Sequence, residues 1–374
     1  MSDIPTLKDA GDLRGKRVLL RLDLNVPIEN GEVRDAYRIE SSLPTIEALR
    51  SQGAKTIIIA HLGKGKPEDT LKPVATYMRD KVPVRFLPLR DPDIKQYVER
   101  MQDGDVILLD NLRHSKGEEE NAETFAKYLA SLAEVYVNDA FAVSHRAHAS
   151  VFGVAKLLPG FMGPLMEKEV ANLSKAFNPE RPFLFILGGA KISTKIPLLK
   201  KFMDIADHIM VGGASANNLY KAKGYEVGKS AVDEDAMEGL DEYVKNPKLL
   251  LPEDVVVMEG SVQKKANAVT AEETIVDIGA ASIEALRGIV MEAKLIVWNG
   301  PLGYYEKGFT DGSKKLIELI LESKATTIVG GGDTVALLDS MGVTEKFSFV
   351  STAGGAMLDF LANGTLPGIE ALRR

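Results

Sequence analysis

GPLMEKEVANLSKAF, residues Gly163 to Phe177, separates two halves of the chain that carry different chemical equipment. Pro164 suits the first turn of a helix, where its missing N–H is not needed. Leu165, Val170, Leu173 and Phe177 recur at near-helical spacing, and Asn178-Pro179 stops the run. Four of the five histidines (His61, His114, His145 and His148) precede this helix, together with several arginines placed just after apolar runs. All the adjacent glycine pairs follow it: Gly188-Gly189, Gly212-Gly213, Gly330-Gly331-Gly332 and Gly354-Gly355. The contrast predicts one domain that grips an anion with cationic side chains and another that approaches phosphate groups with bare backbone.

On either side of the helix, short runs rich in Val, Ile and Leu alternate with longer helix-like segments, the pattern of buried parallel strands joined by crossover helices. Strands are expected over Val18–Leu24, Thr56–Leu62, Val84–Leu87, Val106–Leu109 and Val135–Asn138. In the second half they are expected over Phe183–Leu187, His208–Val211, Val255–Met258, Leu295–Trp298, Thr326–Val329 and Phe347–Val350. Thr45–Arg50, Leu71–Asp80 and Ala122–Ala133 read as helices, and Lys64–Thr70 and Ser115–Asn121 as exposed polar loops. The fold class expected is α/β: two doubly wound parallel-sheet, Rossmann-like domains joined by the Gly163–Phe177 helix.

At 374 residues, with 45% hydrophobic and 26% charged, the chain has room for two folded domains. A net charge of −7 argues against a general nucleic-acid binder, so any cationic site must be local. The absence of cysteine excludes disulfides, thiolate metal sites and a cysteine nucleophile. The first residues lack an apolar signal core and no apolar run approaches a membrane span, so a cytoplasmic protein is expected.

Ligands of doubly wound sheets sit beyond the carboxyl ends of the strands. Those positions carry Asp23, Asn25, His61, Asn111, Arg113, Asn138, Asp139, His145, Arg146 and His148 in the first half. In the second they carry Gly188 to Lys191, Gly212-Gly213, Asn299 to Pro301, Gly330 to Asp333 and Ser351 to Gly355. Arg38, Arg113 and Arg146 offer forks for a carboxylate or phosphate, with His61 and His148 adding donors. Glycine pairs at a strand-to-helix turn admit close backbone approach, and the following helix start favours an anion. In GGGDT, Gly330 to Thr334, Asp333 is suited either to bind Mg²⁺ on a nucleotide or to cap the helix, and Thr334 to cap it or touch a phosphate. Lys191 and Lys195 share a face if the helix has begun by Lys191. Neither GxxxxGK[ST] nor a strand-turn-helix GxGxxG is present, and no histidine spacing suggests zinc.

These residues, in order, resemble the phosphoglycerate kinase family: RLDLNVP (Arg21–Pro27), HLG (His61–Gly63), NLR (Asn111–Arg113), DAF (Asp139–Phe141) and HRAH (His145–His148), then GGAKISTK (Gly188–Lys195), WNGPLG (Trp298–Gly303), GGGDT and VSTAGGA (Val350–Ala356). The resemblance, nearly end to end, implies reversible phosphoryl transfer between 1,3-bisphosphoglycerate and MgADP by a monomer with no nucleic-acid or membrane partner. It implies that Asp23, Asn25, Arg38, His61, Arg113 and Arg146 hold the glycerate, and that Lys191 and Lys195 hold nucleotide phosphates. Asp333 would hold Mg²⁺, Glu306 would reach the ribose, and Asn299 and Pro301 would line the nucleotide cleft with Gly189, Gly213, Gly330 and Thr334. Around the moving phosphoryl it implies Arg38, Lys195 and the amides near Gly331, Gly332, Gly354 and Gly355. The substrate domain would comprise residues 1–162 with 357–374 folding back onto it, the hinge 163–178 and the nucleotide domain 179–356. Lys64, Ala353, Met357 and Tyr304-Tyr305 depart from the family pattern. Two rival readings stay open: a two-lobed sensing protein without turnover, and a kinase for another carboxylate.

Overall fold

The structure, a computed structural model, describes residues 4–373. The chain forms two compact units: one holds the described residues up to Ala171 and those from Thr365 onward, the other is Asn172–Gly364. Each is built on a six-stranded sheet whose neighbouring strands are all parallel.

In the first unit the spatial order is Arg85–Leu87, Val106–Leu109, Lys55–Ile59, Arg17–Arg21, Val135–Asn138, Gly160–Met162. The order reverses direction between Arg17–Arg21 and Val135–Asn138, and the crevice beyond their carboxyl ends is where such a sheet binds ligands. Val18, Leu20, Ile58, Leu108 and Val137 anchor its core. The first two strands end at Arg21 and Ile59, short of the expected Leu24 and Leu62. Leu22 and Leu24 stay buried after the backbone leaves the ladder, which is why hydrophobicity alone overextends the strand. The helix expected over Thr45–Arg50 runs Tyr37–Ser51, with Pro44 inside it, and so carries Arg38 in its first turn.

The second unit orders its strands Leu249–Leu250, His208–Val211, Phe183–Leu187, Leu295–Asn299, Thr326–Gly330, Phe349–Val350, and reverses between Phe183–Leu187 and Leu295–Asn299. Trp298 is fully buried there and donates Nε1–H to Gly300 O at 2.7 Å. The strand expected over Val255–Met258 does not join this sheet. It forms, as Asp254–Val257, the centre of a separate antiparallel sheet with Val262–Lys265 and Ile275–Ile278. Val262–Lys265 is a solvent-facing edge strand, VQKK, without an apolar run to announce it.

The Gly163–Phe177 stretch is an α-helix over Pro164–Ser174 followed by a 3₁₀ turn over Lys175–Phe177. Its buried stripe is Met166, Glu169, Val170, Leu173 and Ala176, while Leu165 and Phe177 are only half-buried. Phe177 packs against Phe360, ring centroids 5.6 Å apart, within the second unit. The helix Gly355–Asn363 also belongs to that unit by its contacts, so the chain returns to the first unit at Thr365 rather than Met357. There Gly368 N donates to Ser144 O at 2.8 Å.

Candidate functional site

In the first unit, Arg21, Arg38, Arg113 and Arg146 all act on His61. The ring is 4% exposed, and burial first, then these four guanidinium groups, hold it well below the ordinary histidine range. His61 is therefore neutral near pH 7. His148, pressed by burial and by Arg146 and Arg113, falls to about 4. Arg38 pairs with Asp23 Oδ2 at 2.9 Å and donates to Asn25 O at 3.0 Å, while Asn25 Oδ1 accepts from Gly63 N at 2.9 Å. Arg113 donates to Gly63 O and lies 3.1 Å from Glu119. Arg146 is solvent-exposed, its Nε 3.3 Å from His145 Nε2. Thus Asp23 and Asn25 hold Arg38 and the Gly63 loop, whereas Arg38, Arg113, Arg146 and His61 supply the cationic and donor surface.

Asn111, at a ligand-facing strand end by pattern, is instead wholly buried. It clamps the loop through Leu62 O and Asp69 O, both at 2.7 Å. Asp139 is also internal: it accepts from Thr45 Oγ1 at 2.6 Å and from Met166 N at 2.9 Å, holding the start of the Pro164–Ser174 helix. Burial pushes its carboxyl up to about 6. The expected loop Ser115–Asn121 contains a short helix, Lys116–Glu119, whose Glu118 is fully buried. Three successive glutamates read as solvated; a tertiary contact with Ser150 selects one of them.

The second unit presents backbone. A Cβ on Gly188 would lie 2.3 Å from the carbonyl oxygens of Gly300 and Pro301, at the point where the strand order reverses. A Cβ on Gly213, whose φ is +62°, would lie 2.8 Å from Gly189 N, and Gly354 rests against Gly331. Four helices start on this floor, with Lys195, Gly213, Gly331 and Gly354 as their N-caps. None of the four caps is a side-chain hydrogen bond. First-turn N–H groups left without side-chain partners make an anion site. Asp333 is not the cap, since Gly331 is; it lies exposed in the first turn, its carboxyl pushed up by burial and by Glu306. Thr334 Oγ1 is buried without a hydrogen-bond partner.

The lysine pair does not share a helix face. A 3₁₀ turn, Ile192–Thr194, separates the two, and the α-helix begins only at Ile196. Lys191 is exposed, whereas Lys195 is 7% exposed beside Gly189, its ammonium donating to Thr194 Oγ1 at 3.0 Å. Gly330 packs on Met357 Sδ, as does Asn299 Nδ2 at 3.5 Å, so the unusual Met357 fills space beneath the floor. Ala353 is buried, its N–H bonded to Ser351 Oγ. Lys64 is exposed.

A cavity of about 310 Å³ opens from the floor, lined by Gly189, Gly213, Pro301, Glu306 and Asp333 on the phosphate side. Its other walls, Tyr220, Pro252, Val255 and Ile275, are mostly apolar, and none was expected at a site: Val255 and Ile275 come from the separate antiparallel sheet, Tyr220 from a helix interior and Pro252 from the loop before that sheet. An apolar slot ending in a few convergent polar groups suits a nucleobase and ribose.

A family model described as phosphoglycerate kinase matches residues 7–364. The chain is 44% identical to a phosphoglycerate kinase of Dictyoglomus turgidum over 97% of this chain and 96% of that one. It is likewise 44% identical to one of Methylorubrum populi, over 100% and 99%. Among solved structures, phosphoglycerate kinase from Coxiella burnetii is similar with TM-score 0.87 and 39% identity, covering 99% of this chain and 98% of that one. The Pyrococcus horikoshii enzyme is similar with TM-score 0.84 and 32% identity over the same shares. With a cationic pocket in one unit, a glycine floor in the other and these relatives along its whole length, the chain belongs to the phosphoglycerate kinase family.

Proposed function

We propose that this chain carries out its family's phosphoryl transfer, between 1,3-bisphosphoglycerate and MgADP, with the donors described above. Arg38, His61, Arg113 and Arg146 hold 3-phosphoglycerate, positioned by Asp23 and Asn25. Gly189, Gly213, Pro301 and Glu306 receive the nucleoside. Lys195 and the first-turn amides at Gly331, Gly332, Gly354 and Gly355 hold the phosphate chain, with Lys191, Asn299, Gly330 and Thr334 beside or beneath it. The observation that carries this reading is Lys195, a buried ammonium on a glycine floor with a hydroxyl as its hydrogen-bond partner.

In the ATP-consuming direction the nucleophile is the carboxylate of 3-phosphoglycerate, already ionised, so the site requires no general base. Catalysis is then positioning and charge stabilisation. Among the described residues no group of three His, Cys, Asp or Glu could hold a metal by itself. One exposed carboxylate, Asp333, suits a magnesium ion whose remaining ligands are phosphate oxygens and water. When bound, Mg²⁺ neutralises charge on the phosphates; Asp333 contributes a carboxylate, with Glu306 as its acidic neighbour.

Because the donors are divided between two units, we propose that the units close for transfer, using residues 163–178 and Ser351–Gly355 as hinges. We further propose a cytoplasmic monomer; among the described residues no helix is long and apolar enough to cross a membrane. A coupled assay with 3-phosphoglycerate, ATP and Mg²⁺ tests the reading. Turnover that requires all three and collapses in Lys195→Ala is expected. Binding of both ligands without turnover would leave a sensing protein instead.

A further inference from the structure

Behind the cationic pocket lies a chain of buried polar groups that the phosphoryl transfer itself does not use. Arg21 is 1% exposed, Glu118 and Ser150 are 0% exposed, and none was assigned a role from sequence. Arg21 Nε donates to Ser150 Oγ at 2.9 Å, Nη1 donates to Leu22 O, and Nη2 lies 3.3 Å from His61 Nδ1. Ser150 Oγ is 2.6 Å from Glu118 Oε1, and Ser150 N donates to Glu118 Oε2 at 3.0 Å. Ser150 sits in the π-helical turn Ala149–Gly153, and Tyr136 O–H pins its carbonyl at 2.7 Å.

The proton positions follow from donor and acceptor counting. A guanidinium has five N–H donors and no acceptor. Ser150 Oγ must therefore accept from Arg21, and the Ser150 O–H then donates to Glu118 Oε1. Glu118 then accepts on both oxygens, the arrangement that suits an ionised carboxylate. At the other end His61 Nδ1 also faces an obligate donor, so it carries the lone pair and the ring proton sits on Nε2. No hydrogen bond occupies Nε2 among the described residues.

We infer that Glu118, acting through Ser150 and Arg21, holds His61 as the neutral Nε2–H tautomer, so that the pocket offers a donor rather than a lone pair to the anionic groups of its substrate. Glu118 and Ser150 are positioning residues: they touch no ligand and set the direction of the Arg21 fork. Glu118 also supplies the counter-charge that a guanidinium at this depth requires. His148, whose Nδ1 is 3.9 Å from Glu118 Oε1, is too far for a hydrogen bond and leaves the carboxylate to Ser150. The last clause, about substrate, rests on the proposed reading of the pocket; the tautomer does not.

The test is nitrogen-15 NMR of histidine-labelled, full-length, ligand-free protein near pH 7, with His61 assigned by the signal lost in His61→Gln. The expected wild-type pattern is a single Nε2–H tautomer. Ser150→Ala, which removes one hydroxyl, and Glu118→Gln, which removes the charge at constant shape, should each convert it to a tautomer mixture. They should also raise KM for 3-phosphoglycerate about tenfold, the loss of one charge-assisted hydrogen bond, with KM for ATP unchanged. A wild-type ring protonated on Nδ1, or on both nitrogens, overturns the inference. So does a folded Ser150→Ala whose tautomer is that of wild type, even if Glu118→Gln does not fold. Titration with 3-phosphoglycerate should move the His61 signal; an unmoved signal overturns the substrate clause and the reading beneath it, separately from the tautomer.

Discussion

On the proposed reading the first unit recognises its ligand with side chains and the second with backbone, and the two solutions carry different vulnerabilities. In the first, cations must be kept apart and aimed, which takes support such as the half-buried Asp23 under Arg38 and the fully buried Glu118 behind Arg21. In the second, the recognising atoms proposed are main-chain N–H groups whose positions the fold already fixes, so what matters is that nothing occupies the space above them. Charge changes should therefore injure the first site, and added methyl groups the second.

The largest effect expected is on the backbone site. In Gly188→Ala the new methyl meets the carbonyl oxygens of Gly300 and Pro301 at 2.3 Å, backbone on both sides, with no flexible side chain to yield. Separating the two central strands enough to admit it should cost about 5 kcal/mol, the upper range for a single core substitution. Chemical denaturation would register this as loss of the second unit's transition; a variant of wild-type stability would show that the floor is looser than its contacts indicate.

Next comes the side-chain site. Arg38→Ala removes a guanidinium proposed to meet the moving phosphoryl and should lower kcat about a thousandfold, or about 4 kcal/mol, with KM for ATP little changed. The unfolding free energy should change far less, because Arg38 is about a third exposed and its pair with Asp23 is a partly solvated one. Unchanged turnover would remove Arg38 from the mechanism and leave the comparison resting on its neighbours.

The sequence announced both sites unequally, and for a physical reason. Glycine pairs after Phe183–Leu187 and Thr326–Gly330 are local signals, because a strand, a tight turn and a helix start are contiguous in the chain. Strands such as Val106–Leu109 and Val135–Asn138 were legible to the residue, being short, predominantly apolar and followed at once by a carboxylate, Asp110 or Asp139. The support of the cationic pocket was not legible. Nothing in the run of three glutamates distinguishes Glu118 from Glu119 or Glu120, and Ser150, which makes the difference, lies 32 residues further on. The same holds for the apolar walls of the cavity, where Val255 and Ile275 meet only after an antiparallel sheet assembles beside the main one.

Acidity should act on the first unit through Asp139 and His148, whose titration burial displaces in opposite directions. Asp139 has its carboxyl raised from 3.8 to about 6 in the folded state, so that state binds the extra proton between those values. The group's contribution to stability is therefore lost as pH rises from about 4 to about 6 and stays lost above. In Asp139→Asn the amide can keep both contacts, accepting from Met166 N and donating to Thr45. Relative to wild type, the variant should gain about 3 kcal/mol between pH 4 and pH 6.5, measured by denaturation at each pH. His148 works in the opposite sense: its depressed value removes stability as pH falls from about 6.5 towards 4, and that slope should persist in the variant. Parallel pH profiles for the two proteins would mean that Asp139 is not displaced and that the helix start is held by something else.

The smallest expected change in folding is also the sharpest probe of the comparison. Gly332 opens the Gly332–Ser340 helix and has no positive φ, and a Cβ there would meet nothing within 4 Å. Alanine is therefore compatible with its backbone, and because it restricts the unfolded chain more than glycine does, stability should stay level or rise by about 0.5 kcal/mol. If the space over Gly332 is where phosphate oxygens approach the helix start, the same methyl must stand in their way. KM for ATP should then rise about tenfold in Gly332→Ala while KM for 3-phosphoglycerate holds, a loss of about 1.4 kcal/mol in one ligand alone. A protein that folds better and binds nucleotide worse is what a site made of empty space above backbone demands. If Gly332→Ala bound ATP as wild type does, the phosphate chain would have to lie elsewhere on the floor, and Gly354, resting against Gly331, would be the next glycine to fill.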